Sequence, residues 1–84
     1  MKNKILVEII IPKIDERYNL FIPVNKRVGK VVLLINKAIF EMSSGRYQIS
    51  DTVSLYNRET GEKYDPNSMI YETNIRNGAI LVLD

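Results

Sequence analysis

The sequence predicts an α+β fold, a mixed β-sheet packed on one helix, and three observations carry that expectation. The run Ala79-Ile80-Leu81-Val82-Leu83 follows a polar turn at Asn77-Gly78 without a polar interruption, as a strand does when it lies in the middle of a sheet. Val28, Val31, Val32, Ile35, Ala38, Ile39 and Met42 recur at intervals of three and four, which puts them on one helical stripe. The remaining segments read in the order strand, strand, helix, strand, short strand and final strand, so a single helix serves the whole sheet.

Residues 4–12 form the first expected strand, because Ile and Val crowd together there and Glu8 tells the two faces apart. Ile5, Val7, Ile9 and Ile11 then point inward, with Leu6, Glu8 and Ile10 outward. The polar stretch 13–19, centred on Asp15-Glu16-Arg17, reads as a hairpin connection longer than a two-residue turn. A second strand follows, with Leu20, Ile22 and Val24 on one face and Asn19 and Phe21 on the other. Pro23 has no N–H to give to a ladder, which places this strand at a sheet edge. Asn25 is the expected N-cap of the helix, and Gly45, after Ser43-Ser44, its expected left-handed stop. In the segment 52–57, Val53 and Leu55 alternate inward with Ser54 and Tyr56 outward. Arg58–Glu62 is a turn, Lys63-Tyr64 a short return strand and Asp65-Pro66-Asn67 a second turn.

Eighty-four residues, 45% apolar and 26% charged, make one globular domain spanning 1–84, able to bury roughly 64% of the unfolded chain's surface. The chain has no cysteine and no histidine, so thiol chemistry is excluded and the commonest general base and metal ligand are missing. No base accompanies Ser43, Ser44 or Ser54, and the carboxylates Asp15, Glu16, Glu59, Glu62 and Asp65 fall in turns without the spacing of a calcium loop. Neither catalysis nor a metal or cofactor is expected. Twelve basic against ten acidic residues give a net charge of +2, too small and too interspersed for a nucleic-acid signature. No run nears the roughly 20 apolar residues of a membrane span. Glu8 and Pro12 break the apolar start behind Lys2 and Lys4 before it could act as an export signal, so a cytoplasmic location is expected.

The Asn74-Ile75 pair before the polar turn, the closing Ile80-Leu81-Val82-Leu83, the helix anchors Val28, Val31 and Ile35 and the preceding Leu20-x-Ile22 together resemble ubiquitin. The resemblance covers nearly the whole chain and implies a β-grasp, with the last strand parallel to the first. More narrowly, the chain is similar to the small bacterial ubiquitin-like proteins of the YukD and EsaB type. That likeness implies association with type VII secretion of WXG-type substrates. Conjugating and sulfur-carrying members of the superfamily transfer a thin, mobile tail ending in two glycines. This chain reads Leu83-Asp84 one residue beyond the expected strand, so conjugation is not expected. Ubiquitin docks partners through the helix-free sheet face using an isoleucine on its third strand, where Ser54 stands here.

The outward residues of the strands are therefore the expected protein-binding set: Leu6, Phe21, Tyr56, Leu81 and Leu83, with Ile10 beside them. Apolar patches of this kind mark interaction surfaces, and aromatics are enriched there. The expected partner is another protein, membrane components of a secretion machine or a second copy of the chain, with no direct membrane insertion. The alternative is a nucleic-acid-associated regulator using Lys26, Arg27 and Lys30 with Arg46 and Tyr47.

Overall fold

The computed structural model describes residues 3–84; Met1 and Lys2, and with Lys2 part of the expected basic start, lie outside the described residues. Strand β1 (Lys4–Ile11) pairs antiparallel with β2 (Glu16–Pro23) over its whole length, from Lys4 opposite Pro23 to Ile11 opposite Glu16. A short 3-10 turn, Pro12–Ile14, joins them, and Asp15 closes it at φ 50°. The second strand thus begins four residues earlier than the polar stretch suggested. Polar side chains are no obstacle on an edge strand, since one face and the outer edge meet water.

Helix α1 (Val28–Met42) crosses one face of the sheet and buries Val28, Val31, Ile35 and Ile39. The chain then runs through 46–54 to β3 (Leu55–Asn57), touches back at Lys63 opposite Tyr56, and finishes in β4 (Ile80–Leu83). β4 lies between β1, to which it is parallel, and β3, to which it is antiparallel, giving the order β2-β1-β4-β3. Ser54 and Asp84 exchange two backbone hydrogen bonds, 3.0 and 3.1 Å, so pairing runs to the last residue.

The helix start differs from the expectation at Asn25. The N-cap is Arg27, with no side-chain cap. Two orphan amides of the first turn are satisfied by backbone instead: Val28 N–H donates to Ser68 O (2.8 Å) and Gly29 N–H to Pro66 O (2.9 Å). A Cβ on Gly29 would meet Pro66 O at 3.2 Å and Pro66 Cβ at 3.3 Å, so glycine is what lets that loop come so near. The far end closes as expected, with Gly45 at φ 82° and its N–H on Phe40 O. Met42, placed on the buried stripe by its spacing, is exposed at this last turn.

On β1 the inward set is Val7, Ile9 and Ile11, with Ile5 half-buried, as Glu8 indicates. On β4 the parity is the reverse of the expected one: Leu81 and Leu83 are each 1% exposed. The parallel register sets Ile9 beside Leu81, and the antiparallel one sets Leu55 beside Leu83. Residues paired across a sheet share a face, so both leucines go into the core with their partners. Ile80 and Val82 take the outer face in their place. Leu81→Ala is expected to cost about 2–5 kcal/mol by leaving a cavity, and Ile80→Ala about 1 kcal/mol or less; urea denaturation of the two variants compares them directly.

Two tyrosines are buried, each with its hydroxyl satisfied. Tyr47 donates to Asn36 Oδ1 on α1, an oxygen that also accepts from the Ser50 amide at 3.2 Å, while Asn36 Nδ2 donates to Val32 O. Asn36 is fully buried, and this set ties the 46–50 segment to the helix. Tyr64 donates to Asn74 Oδ1 at 2.6 Å and accepts from Asn57 Nδ2 at 3.0 Å. Burial raises both phenols above their ordinary value of 10.0; for Tyr64 the Asn57 hydrogen bond offsets part of that and Glu62 adds to it. A phenol kept neutral by the fold ionises more easily once unfolded, so this stabilisation is complete below about pH 10 and is lost as the pH rises through the raised folded values. The denaturation midpoint is expected to drop above about pH 10, and the Tyr47→Phe/Tyr64→Phe double variant to show a smaller drop, read by urea melts across that range.

Candidate interaction surface

The helix-free side of the sheet carries apolar residues from all four strands. Phe21 on β2 faces Leu6 on β1; Ile10 on β1 faces Val82 on β4, and Val82 faces Tyr56 on β3. Ile80 stands beside Glu8 between those rows. Phe21 is 54% exposed and Leu6 and Ile80 38% each, with Ile10, Val82 and Tyr56 half-buried. All four strands therefore contribute to one surface, and the sheet's pleat, not loop chemistry, aims every side chain on it.

Of the expected binding set, the structure brings Leu6, Phe21 and Tyr56 to this face and removes Leu81 and Leu83 from it. Ile80 and Val82 are the members the sequence reading missed. They could have been found only by fixing the β4 register against β1. At the centre of the band, Arg17 Nη1 donates to Glu8 Oε2 at 2.8 Å, so the carboxylate there is paired, while the exposed Asp84 lies at the rim beside Val82 and Tyr56. The Arg17 side chain is 61% exposed, so solvent screens the pair and its coupling is small. A double-mutant cycle with Glu8→Ala and Arg17→Ala is expected to return less than about 1 kcal/mol in thermal melts.

The basic residues do not converge in the same way. Arg27 Nη1 donates to Asn67 O, and Arg46 Nη2 donates to Glu16 Oε1. That hydrogen bond, with the attraction behind it, raises the Arg46 pKa above its ordinary value. Tyr47, the aromatic assigned to base stacking, is 1% exposed and lies in the core. The helix N-terminus that Lys26, Arg27 and Lys30 surround already spends its Val28 and Gly29 amides on Ser68 and Pro66.

A single helix held in the grasp of a mixed sheet, with the last strand parallel to the first at its centre, makes this a β-grasp domain. Its fold is ubiquitin-like, and solved ubiquitin-like domains superpose on essentially the whole chain. A ubiquitin from Caldiarchaeum subterraneum matches with a TM-score of 0.66 at 16% identity, over 95% of this chain and 90% of its own. A chain of the MycP5-free ESX-5 inner membrane complex matches at 0.71 and 11% identity; 98% of this chain is covered, against 21% of that one. A chain of the toluene 4-monooxygenase HD complex matches at 0.75 and 11% identity, over 95% of each. At these identities the likeness is one of fold, which hosts more than one function. No protein-family model and no curated protein sequence matches the chain. Among the described residues, no helix is long and apolar enough to cross a membrane.

Proposed function

We propose that residues 1–84 act as one non-catalytic, ubiquitin-like interaction module that docks a protein partner through the helix-free sheet face. The observation that carries this reading is the set Phe21, Leu6, Ile80, Ile10, Val82 and Tyr56, apolar residues from all four strands on one face, with Asn19 and the Glu8–Arg17 pair among them. The partner chemistry that fits is an apolar protein surface with polar groups at its rim, because the centre of the band has no unpaired charge to satisfy. The role is that of a cytoplasmic accessory component or regulator of a type VII secretion machine. The chain's likeness to YukD- and EsaB-type proteins supports it, as does the occurrence of the same fold in a chain of the ESX-5 inner membrane complex.

The test is genetic and uses the intact chain in its native cell. Deletion is expected to reduce export of a WXG-type substrate, wild type to restore it, and Tyr56→Glu/Ile80→Glu to fail despite an unchanged fold by circular dichroism. Normal export from the deletion strain overturns the secretion role, and full restoration by the double variant overturns the docking face. Binding to a labelled oligonucleotide that weakens steeply with salt is the signature of the nucleic-acid alternative.

A further inference from the structure

The outer edge of β2 is open, and the pairing parity of β1 shows which groups it offers. Leu6 and Glu8 turn their backbone toward β4: Leu6 N–H donates to Asn77 Oδ1, Leu6 O accepts from Gly78, and Glu8 N–H donates to Ala79 O. The odd residues of β1 therefore serve β2, where their partners are Glu16, Tyr18, Leu20 and Ile22, and Val24 N–H on Asn3 O continues the same alternation. The backbone N–H and C=O groups of Arg17, Asn19 and Phe21 consequently point away from β1, and among the described residues no turn, loop or cap hydrogen bond takes them up. Proteins blunt such edges with proline or charge. Here Pro23 closes one end and Asp15, whose N–H is spent on Pro12 O, the other, and the stretch from Arg17 to Phe21 between them is left bare.

We propose that a second copy of this chain pairs with this edge, β2 against β2, antiparallel about a two-fold axis at Asn19. In that register Asn19 faces Asn19 of the other copy and Arg17 faces Phe21. All three free amides of each copy then find carbonyls. The ladder stops where it must: Asp15 N–H is already spent on Pro12 O, and Pro23 opposite it has none to give. Charge argues for a copy of the same chain in this direction. Glu16 is taken up by Arg46, but β2 also begins beside the exposed Asp15 and ends beside Lys4, its cross-strand neighbour at Pro23, so antiparallel pairing brings Asp15 of one copy toward Lys4 of the other. The flanks are apolar on both sides of the edge. Phe21 lies on the open face, and on the helix side a groove of about 250 Å³ is lined by Leu20, Ile22, Leu34 and Ala38, with Leu34 43% exposed. Pairing sets Tyr18 of the other copy opposite Leu20, at the mouth of that groove. Guanidinium over ring, Arg17 on Phe21, adds a further favourable contact. The result is one eight-stranded sheet with a docking face on each half, an arrangement that does not depend on what those faces bind.

Sedimentation velocity over a concentration series, with amide exchange of Arg17, Asn19 and Phe21 on the same samples, tests this. Wild type is expected to reach twice its 9.7 kDa mass, with those three amides gaining protection as dimer forms. Asn19→Pro removes the axial donor without touching a bond inside the monomer, and is expected to weaken self-association at least about tenfold. Ile80→Glu, on the sheet face, leaves the dimer intact. A wild type that stays monomeric, or a dimer whose three amides remain unprotected, overturns the proposal. So does a dimer broken by Ile80→Glu and kept by Asn19→Pro, or a foreign extended peptide protecting the edge of a monomeric chain. Should Asn19→Pro fail to fold, the wild-type amide exchange alone decides.

Discussion

Everything in this fold waits on the parallel pairing of the first strand with the last. Glu8 lies opposite Ile80, Ile9 opposite Leu81 and Ile10 opposite Val82, and that contact closes almost the entire chain into a loop. Closing a long loop costs entropy that grows only slowly with length; the β1–β2 hairpin pairs locally, but β4 and β3 have no sheet to join until the first and last strands meet. Once they do, β4 offers its other edge to β3, and the helix gains a complete floor to rest on. Ile9, Leu81, Leu55 and Leu83 all end with 1% or less of their surface exposed, which is the apolar burial that offsets the closure.

A second constraint acts through backbone rather than side chains. The 66–71 segment runs beside the entry to α1: Ser68 and Pro66 accept from the first turn, Ile70 N–H donates to Lys26 O and Tyr71 N–H to Val24 O. Ile70 is fully buried beneath that crossing. The helix is thus fixed at its start by chain that follows it by about forty residues.

Much of this was legible in the residues. Glu8 labels the faces of β1, Pro23 marks an edge, the three-and-four stripe gives the helix and Gly45 its end, and the strand order follows. The errors share one cause. In β4 no polar residue separates the faces, so parity is decided by the partner strand, and a one-residue slip exchanges every side chain between core and surface. The Asn25 cap yields to carbonyls more than forty residues downstream. Glu16 through Asn19 look like loop by composition, yet become strand because β1 offers each of them a partner. Tyr47 resembles a surface aromatic beside Arg46 until Asn36, eleven positions earlier, turns out to hold its hydroxyl in the core. Short-range pattern reports local preference; where a distant backbone or side chain supplies the decisive bond, that pattern is silent.

The Tyr47–Asn36 contact also gives the molecule an intrinsic optical reporter. With no tryptophan, two phenylalanines and five tyrosines, the near-ultraviolet spectrum is dominated by phenols in different settings: Tyr71 is mostly in water, while Tyr47, immobilised between helix and connecting segment, and Tyr64 are buried. A rigid, asymmetric setting is what gives an aromatic ring its near-ultraviolet dichroism, while the far-ultraviolet signal chiefly follows the backbone. Loosening of the 46–50 segment from α1 therefore changes the Tyr47 share of the near-ultraviolet signal, and the packing of the buried tyrosines can be followed without an attached dye.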